Sequence, residues 1–196
     1  MKKYELADET KELHGKTLHR IRALCDFRDV KSGEVGGWIE HEHNLIQSGD
    51  AWVYGDAQVY GNAWVYGNAR VSGDARVYGD ACVSGNAWVY GDAWVYGDAR
   101  VYGDACVYGD AQVYGNARVY TQEAILWISN IGSRNATVTF FKQRDGEIGV
   151  VTGCFYGTLA EFLAKVEKTH GDNAHGQAYR IAAELAFVRL QGKNTD

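Results

Sequence analysis

The sequence predicts a mainly β protein with a central parallel β-helix, a small N-terminal cap and a C-terminal α+β module. A period of six residues runs from Gly49 to Tyr120 in twelve consecutive copies without an insertion. Every copy carries Ala at its third position and Val at its fifth, and the period is absent on either side. A short fixed period indicates units that stack on their neighbours, with non-repetitive segments closing the two ends.

The Ala and Val of each copy point to one side of an extended chain, and the residue between them points to the other. We therefore expect Ala and Val inside a dry core and the residue between them outside. The Gly-Asp or Gly-Asn pair that opens each copy supplies a turn, because Gly accepts positive φ and Asx side chains bond the nearby backbone. The outward positions are Trp52, Gln58, Trp64, Arg70, Arg76, Cys82, Trp88, Trp94, Arg100, Cys106, Gln112 and Arg118.

Three strands per coil would bury the inner face, so twelve copies make four coils about 4.8 Å apart. The Ala-x-Val pattern resembles the hexapeptide-repeat family of left-handed parallel β-helices, and the left hand is implied by that resemblance. Stacking places residue n above residue n+18. The outward aromatic residues either cover the strands or form a surface for self-association and ligand stacking. Two predicted columns are Tyr60, Tyr78, Tyr96 and Tyr114, and Trp52, Arg70, Trp88 and Cys106.

The composition narrows the range of functions. A net charge of −5 argues against a general nucleic-acid or anionic-membrane binder. We find neither an apolar run near 18 residues nor a signal peptide, so we expect a cytoplasmic location and no membrane insertion. Cys25, Cys82, Cys106 and Cys154 have no paired metal-ligand spacing. They predict reduced thiols, with no metal site and no cofactor.

Residues 1–38 are predicted to form the N-terminal cap, with a strand at residues 17–24, and residues 39–120 to form the β-helix. Ile39 and Leu45 lie six residues apart, but Leu45 and Val53 lie eight apart. This spacing predicts a first, irregular coil with a two-residue insertion. The cap would cover open strand edges that otherwise promote aggregation.

Residues 121–196 are predicted to form a three-stranded meander followed by two helices. The strands are expected at residues 124–129, 136–141 and 148–152. Thr158 and Glu161 have the spacing of a capping box at the start of the first helix. The second helix carries apolar residues on one face and is expected to stop near Gly192; that face consists of Ala178, Ile181, Leu185 and Val188.

The whole chain resembles the YdcK-like proteins of enteric bacteria and of many bacteriophage genomes. The N-terminal marks are residues 20–24 with Phe27, and residues 36–39 with Asn44 and Leu45. The C-terminal marks are residues 131–135, 153–155, 157–159, Phe162 and 169–171. The resemblance implies the fold and a phage origin more than any chemistry.

Missing residue types argue against the enzymes of hexapeptide β-helix families. By resemblance, such acyltransferases use a histidine base near the coils, and such carbonic anhydrases hold a metal with three histidines. Residues 49–120 contain no His, Lys or Glu, which removes a general base and a zinc-ligand set. In the C-terminal module, Cys154 and His170 are the one plausible nucleophile and base; a buried core Cys and a helix-end His are the alternative. We therefore expect no enzyme activity.

Two classes of function remain, with a hexapeptide-repeat transferase third. One is a binding or sequestering protein, such as a phage inhibitor of a host defence factor that captures a host protein or a nucleotide-like signal. The other is a structural or assembly protein whose rod is an oligomer interface. We expect a homotrimer, because the outer aromatic surface exceeds what a monomer usually leaves wet. Candidate ligand-binding residues are Trp52, Arg70 and Trp88 on the rod, and Ser133, Arg134, Asn135, Cys154 and His170 in the module.

Overall fold

Twelve short parallel strands form the centre of the molecule in a computed structural model that describes residues 2–191. Each strand consists of the outward residue of one hexapeptide and the Val that follows it. The strands are β4 (Trp52–Val53), β5 (Gln58–Val59), β6 (Trp64–Val65), β7 (Arg70–Val71), β8 (Arg76–Val77), β9 (Cys82–Val83), β10 (Trp88–Val89), β11 (Trp94–Val95), β12 (Arg100–Val101), β13 (Cys106–Val107), β14 (Gln112–Val113) and β15 (Arg118–Val119).

These strands line three faces of a parallel β-solenoid, as the period predicts. The first face carries β5, β8, β11 and β14, joined at one end by β3 (Val35–Ile39). The second face carries β4, β7, β10 and β13, and the third face carries β6, β9, β12 and β15. Val59 pairs with Val77, which confirms the stacking of n on n+18. With the irregular coil that precedes the repeats, the solenoid has about five turns.

The predicted insertion before the regular repeats is confirmed by the pairing of the first coil. Ile39 pairs with Val59, and Leu45 pairs with Val65, so both partners lie 20 residues apart rather than 18. The two extra residues are absorbed between Leu45 and Val53. The first coil therefore stacks in register although its sequence is irregular.

The interior of the rod is a dry column of Ala and Val. Every repeat Ala and Val is buried. The coils are joined by backbone hydrogen bonds such as Arg76 N to Ala93 O at 2.9 Å and Tyr78 N to Val95 O at 3.0 Å. Glycines stack at the corners: a Cβ on Gly73, whose φ is 70°, would lie 3.0 Å from the nitrogen of Gly91. Only Gly fits a corner this close to the next coil.

The N-terminal segment extends the first face of the rod. Strand β1 (Tyr4–Leu13) pairs antiparallel with β2 (Lys16–Ala23), and β2 pairs antiparallel with β3. The predicted strand at residues 17–24 corresponds to β2, whereas β1 was not predicted. Polar side chains satisfy the carbonyls of the adjacent coils: Asn44 Nδ2 donates to Ala63 O at 2.8 Å, and Lys3 Nζ donates to Ala51 O at 2.9 Å.

The C-terminal module contains four antiparallel strands and two helices, so the expectation of a three-stranded meander is wrong. The strands are β16 (Ile125–Ile131), β17 (Ala136–Lys142), β18 (Ile148–Thr152) and β19 (Phe155–Thr158), and the helices are α1 (Leu159–His170) and α2 (Ala174–Gln191). The fourth strand was missed because it has only four residues, one of them Gly157. It returns from a turn at Gly153, and Tyr156 pairs with Val151 of β18. Gly192, near which the second helix was expected to end, lies outside the described residues.

The sheet of the module separates the rod from the helices. Phe141 and Val151 join the core of the rod, whereas Phe140 and Val150 join the core beneath the helices. This alternation is what a strand buried on both sides requires. The predicted capping box is confirmed: Glu161 N donates to Thr158 Oγ1 at 3.3 Å, and Thr158 N donates to Glu161 Oε2 at 2.8 Å. Neither helix described is both long enough and apolar enough to cross a bilayer.

Candidate ligand-binding groove

Trp52 lies inside the protein, so its assignment to the outer surface and to a ligand site is wrong. Its side chain is fully buried. The N-terminal segment folds over it, and the indole meets the rings of Phe27 and Tyr4 edge-on, with centroids 5.4 and 6.1 Å away. The hexapeptide pattern describes one coil at a time, so it could not reveal that a distant segment covers the first one.

Arg70 and Trp88 do meet on the second face, as the column predicts. The Arg70 guanidinium lies 5.3 Å from the centroid of the Trp88 ring, a cation–π contact. The same guanidinium lies 3.3 Å from the Asp29 carboxylate. Arg70 is thus already engaged by the protein, which leaves the exposed edge of Trp88 as the accessible part of this pair.

A stack of tyrosines runs along the corner that follows the strands of the first face. The rings of Tyr60, Tyr78 and Tyr96 lie 5.0 Å apart between neighbours and within 6° of parallel. Tyr114 continues the stack at 4.4 Å. Burial raises the pKa of Tyr78 above its ordinary value, and the neighbouring Tyr96 and Tyr60 add to that shift. Because successive rings of this stack are already in contact, a flat ligand cannot enter between them.

Ser133, Arg134 and Asn135 occupy the exposed turn between β16 and β17. The chain can turn here because Gly132 and Asn135 adopt positive φ, 76° and 48°. The three residues are adjacent, as expected. None of the three lines the third-face groove or the cavity beside His170, both described below.

Cys154 and His170 lie in different surroundings. Cys154 is exposed in the turn between β18 and β19, so the alternative that it is a buried core residue is wrong. His170 ends α1, and its ring lies 5.7 Å from that of Tyr179. It lines a cavity of about 140 Å³ with Phe162 and Val166, and Cys154 is not among the residues that line it.

A large open groove lies on the third face and was not predicted. It has a volume of about 730 Å³. Its floor includes Ala81 and Cys82, and Trp64 and Arg100 stand on either side of Cys82. The remaining lining residues are Ile46, Ser48, Gly49, Asn62, Tyr66, Gly67 and Asp80.

This groove exists because a small side chain, Cys82, stands between two large ones in the outward column of the third face. Trp64 pairs with Cys82, and Cys82 pairs with Arg100. Trp64 and Arg100 are therefore two coils apart, about 9.6 Å at the usual strand spacing. A thiol fills little of that gap, and Trp64 is 52% exposed. A flat aromatic ring could therefore enter beside Cys82 and stack against either neighbour.

The charges around the groove differ from one side to the other. Arg100 is exposed and pairs with Arg118 in the next coil. Burial and the repulsion of Arg100 and Arg144 lower the pKa of Arg118, which shows that positive charge is concentrated at this side. At the corner that precedes Cys82, Asn62 Nδ2 donates to Asp80 Oδ1 at 3.0 Å. The lining of the groove thus includes both a cationic donor, Arg100, and a carboxylate acceptor, Asp80.

The sequence does contain a signal for this groove. The copy GDACVS, residues 79–84, is the one hexapeptide with small side chains at both its fourth and its sixth position. Ser84 interrupts the column of Tyr66 and Tyr102 just as Cys82 interrupts that of Trp64 and Arg100. Comparing each outward residue with those 18 positions away, on every face, would have found it.

Comparison with known proteins places the repeats in a family. The family model for the YdcK beta solenoid repeat matches residues 57–73, 63–79, 69–84, 75–91, 81–97, 93–109 and 111–122. A 62-residue stretch is 37% identical to a protein of Escherichia coli (strain K12) named "Uncharacterized acetyltransferase YdcK". The stretch covers 28% of this chain and 19% of the relative, so the chain matches about a fifth of the relative's length. The family model thus recognises one coil after another along the rod, so the repeat region of this chain is similar to the YdcK beta solenoid repeat, and the matches lie within residues 57–122.

Proposed function

We propose that the protein binds a planar, anionic ligand, nucleotide-like in its chemistry, in the third-face groove and does not convert it chemically. The observation that carries this proposal is the open position at Cys82, between the Trp64 indole and the Arg100 guanidinium. The stacked tyrosines beside the first face leave no such gap between their rings, whereas the position of Cys82 lets a flat group enter the outer layer.

Each wall of the groove supplies one part of the binding energy. Stacking of a base on an aromatic side chain is worth about 1–3 kcal/mol, and it tolerates any base because every base has a π face. Arg100 can lie over the other side of the base or pair with a phosphate, with Arg118 behind it. Asp80 can accept hydrogen bonds from the amino edge of a base. A ligand with a flat, amino-bearing part and an anionic part could therefore contact both Asp80 and Arg100.

Sequestration of such a ligand is the role that we propose. A protein that acts by holding a signal molecule needs affinity and no general base, which agrees with residues 49–120 having no His, Lys or Glu. The phage setting and the inhibition of a host defence factor rest on the resemblance stated above. A homo-oligomer would multiply the number of grooves and raise the capacity for a scarce ligand.

Two other functions have a specific observation in their favour. The relative is named an acetyltransferase, which raises acetyl transfer as a candidate. The second face exposes Trp88 and Tyr108, which favours a rod-to-rod contact in an assembly protein. Neither of these accounts for the gap at Cys82, so we prefer the binding role.

Titration of the protein with ligands, followed by tryptophan fluorescence and calorimetry, tests the proposal. We would use mononucleotides and cyclic dinucleotides as probes. Trp64→Ala and Arg100→Ala should each weaken binding about tenfold or more, the loss of one stack or one ionic contact. Cys82→Trp should abolish binding, because an indole would fill the open position.

Trp88→Ala and Arg134→Ala are the matched controls, since one alters an exposed tryptophan on another face and the other an arginine in the β16–β17 turn. Both should leave binding unchanged. Loss at Arg134 alone would move the site to the C-terminal module and contradict the proposal. Absence of binding to every probe, with the wild-type fold intact, would favour the assembly role instead.

A further inference from the structure

Helix α2 is apolar on two opposite sides, and just one of them packs against the protein. Tyr179, Ala186 and Leu190 are buried in the core beneath the sheet. On the other side, Ile181 is 67% exposed, Leu185 50% and Val188 62%. This is the face that the sequence identifies as apolar. A single-face helix would leave it polar, so the second apolar side needs a partner of its own.

The spacing of the exposed residues is that of a coiled-coil seam. Ile181 to Leu185 is four residues and Leu185 to Val188 is three, which assigns Ile181 and Val188 to d positions and Leu185 to an a position. The small residues Ala174 and Ala178 continue the 4–3 pattern towards the start of the helix. Ala178 itself packs against the core beneath the sheet. We therefore call Ile181, Leu185 and Val188 the α2 seam.

Charged residues flank the α2 seam in a pattern that selects a parallel partner. At about 100° per residue, Glu184 lies on one side of the seam and Arg189 on the other. They occupy a g position and the following e position, five residues apart. In a parallel coiled coil these two positions face each other across the interface, and here they carry opposite charges. In an antiparallel pair, like charges would meet.

We propose that the α2 seam packs against the same seam of further copies of this chain, with the helices parallel. Leu at a with β-branched residues at d favours three or four chains over two. The seam is short, but α2 is already held as a helix by its opposite side, so the interface does not have to nucleate it. This inference depends on α2 alone and stands whether or not the third-face groove binds a ligand.

Light scattering of the full chain tests the assembly. At about 50 µM the wild-type protein should have three or four times the chain mass of 21.7 kDa. Leu185→Lys should shift it to the monomer, because it places a charge in the seam. Phe187→Lys is the matched control: Phe187 is 50% exposed on the same helix but lies roughly 120° away from the seam. A wild-type monomer, or equal effects of the two variants, would overturn the proposal.

A charge exchange tests the parallel orientation. Glu184→Arg and Arg189→Glu should each raise the dissociation concentration several-fold, and the double variant should restore it. An assembly that both single variants strengthen would be antiparallel, contrary to what we propose. Trp64→Ala should leave the mass unchanged, which separates failure of the assembly from failure of ligand binding.

Discussion

The indole of Trp52 lies edge-on against the ring of Phe27, with centroids 5.4 Å apart and planes at 71°. This contact joins the N-terminal segment to the first regular coil of the rod. Trp52→Ala should lower the free energy of unfolding by about 3–5 kcal/mol, because it leaves a cavity where two parts of the chain meet. Chemical denaturation followed by circular dichroism measures the loss.

Trp64→Ala is the control for Trp52→Ala, since the same residue type stands two copies further along but is exposed. It should cost less than about 1 kcal/mol. Trp52→Phe should retain most of the stability, because the buried indole N–H has no hydrogen-bond partner within residues 2–191. Equal losses for Trp52→Ala and Trp64→Ala would contradict the burial of Trp52.

Val95 lies in the dry column between Val77 and Val113. Val95→Asp should destabilise the rod by about 4 kcal/mol or more, since an unpaired carboxylate would replace a methyl contact on both sides. Arg100→Asp, an exposed outward position, should change the unfolding midpoint little. A Val95→Asp protein as stable as that control would mean that the inward register is wrong.

Because Lys3 is buried, the stability of the protein should depend on pH in an unusual way. Its burial lowers its pKa from 10.5 to about 8, with the nearby Asp50 carboxylate opposing the shift. The unfolded chain therefore binds more protons than the native protein between those values, and stability should rise as the pH increases through that window. The gain attributable to Lys3 from pH 7 to pH 9 is about 1 kcal/mol.

The contribution of Lys3 to the pH dependence of stability must be measured below pH 10. Burial raises the pKa of Tyr54 to about 12, so tyrosine ionisation in the unfolded chain lowers stability above pH 10. Lys3→Met should remove the rise from Lys3, and urea midpoints at pH 7, 8 and 9 compare the two proteins. Parallel curves for wild type and variant would show that Lys3 is not buried as a cation.

The protein should not turn over acetyl-coenzyme A, and it should not hydrate CO₂ in a chelator-sensitive way. Residues 49–120 contain no His, Lys or Glu, so the regular coils supply neither a histidine base nor a zinc-ligand set. A thiol-release assay and a stopped-flow pH assay are the measurements. His170→Ala is the informative variant if turnover is found, because activity that depends on His170 would place chemistry in the C-terminal module.

The rod was predictable in detail because its pattern is local and repeats. Ala inside, Val inside, the column of Tyr60 and Tyr78, and the extra residues before Val53 all follow from spacing alone. The burial of Trp52 could not be predicted in this way, since it depends on a segment that folds back from residues 4–27. Short-range patterns carry no information on such a return.

The groove and the two-sided helix were missed for different reasons. The gap at Cys82 exists only by comparison with Trp64 and Arg100, 18 residues away in each direction. For α2, the sequence identified an apolar face correctly, but a helix buries whichever side fits the sheet. Tyr179 and small residues such as Ala182 and Ala186 allow close approach there, so the bulkier face was left outside.

The close stacking of Gly73 on Gly91 has a consequence for how such rods can change in length. At the corner glycines from Gly61 to Gly103 a Cβ would lie within 3.3 Å of a neighbouring coil. Within the regular coils, copies should therefore be gained or lost as whole hexapeptides. Three copies would lengthen the rod by one coil, about 4.8 Å, and keep the azimuth of the C-terminal module. One copy would turn that module by about a third of a revolution. The number of repeats therefore sets both the length of the rod and the direction in which α2 faces around the rod axis.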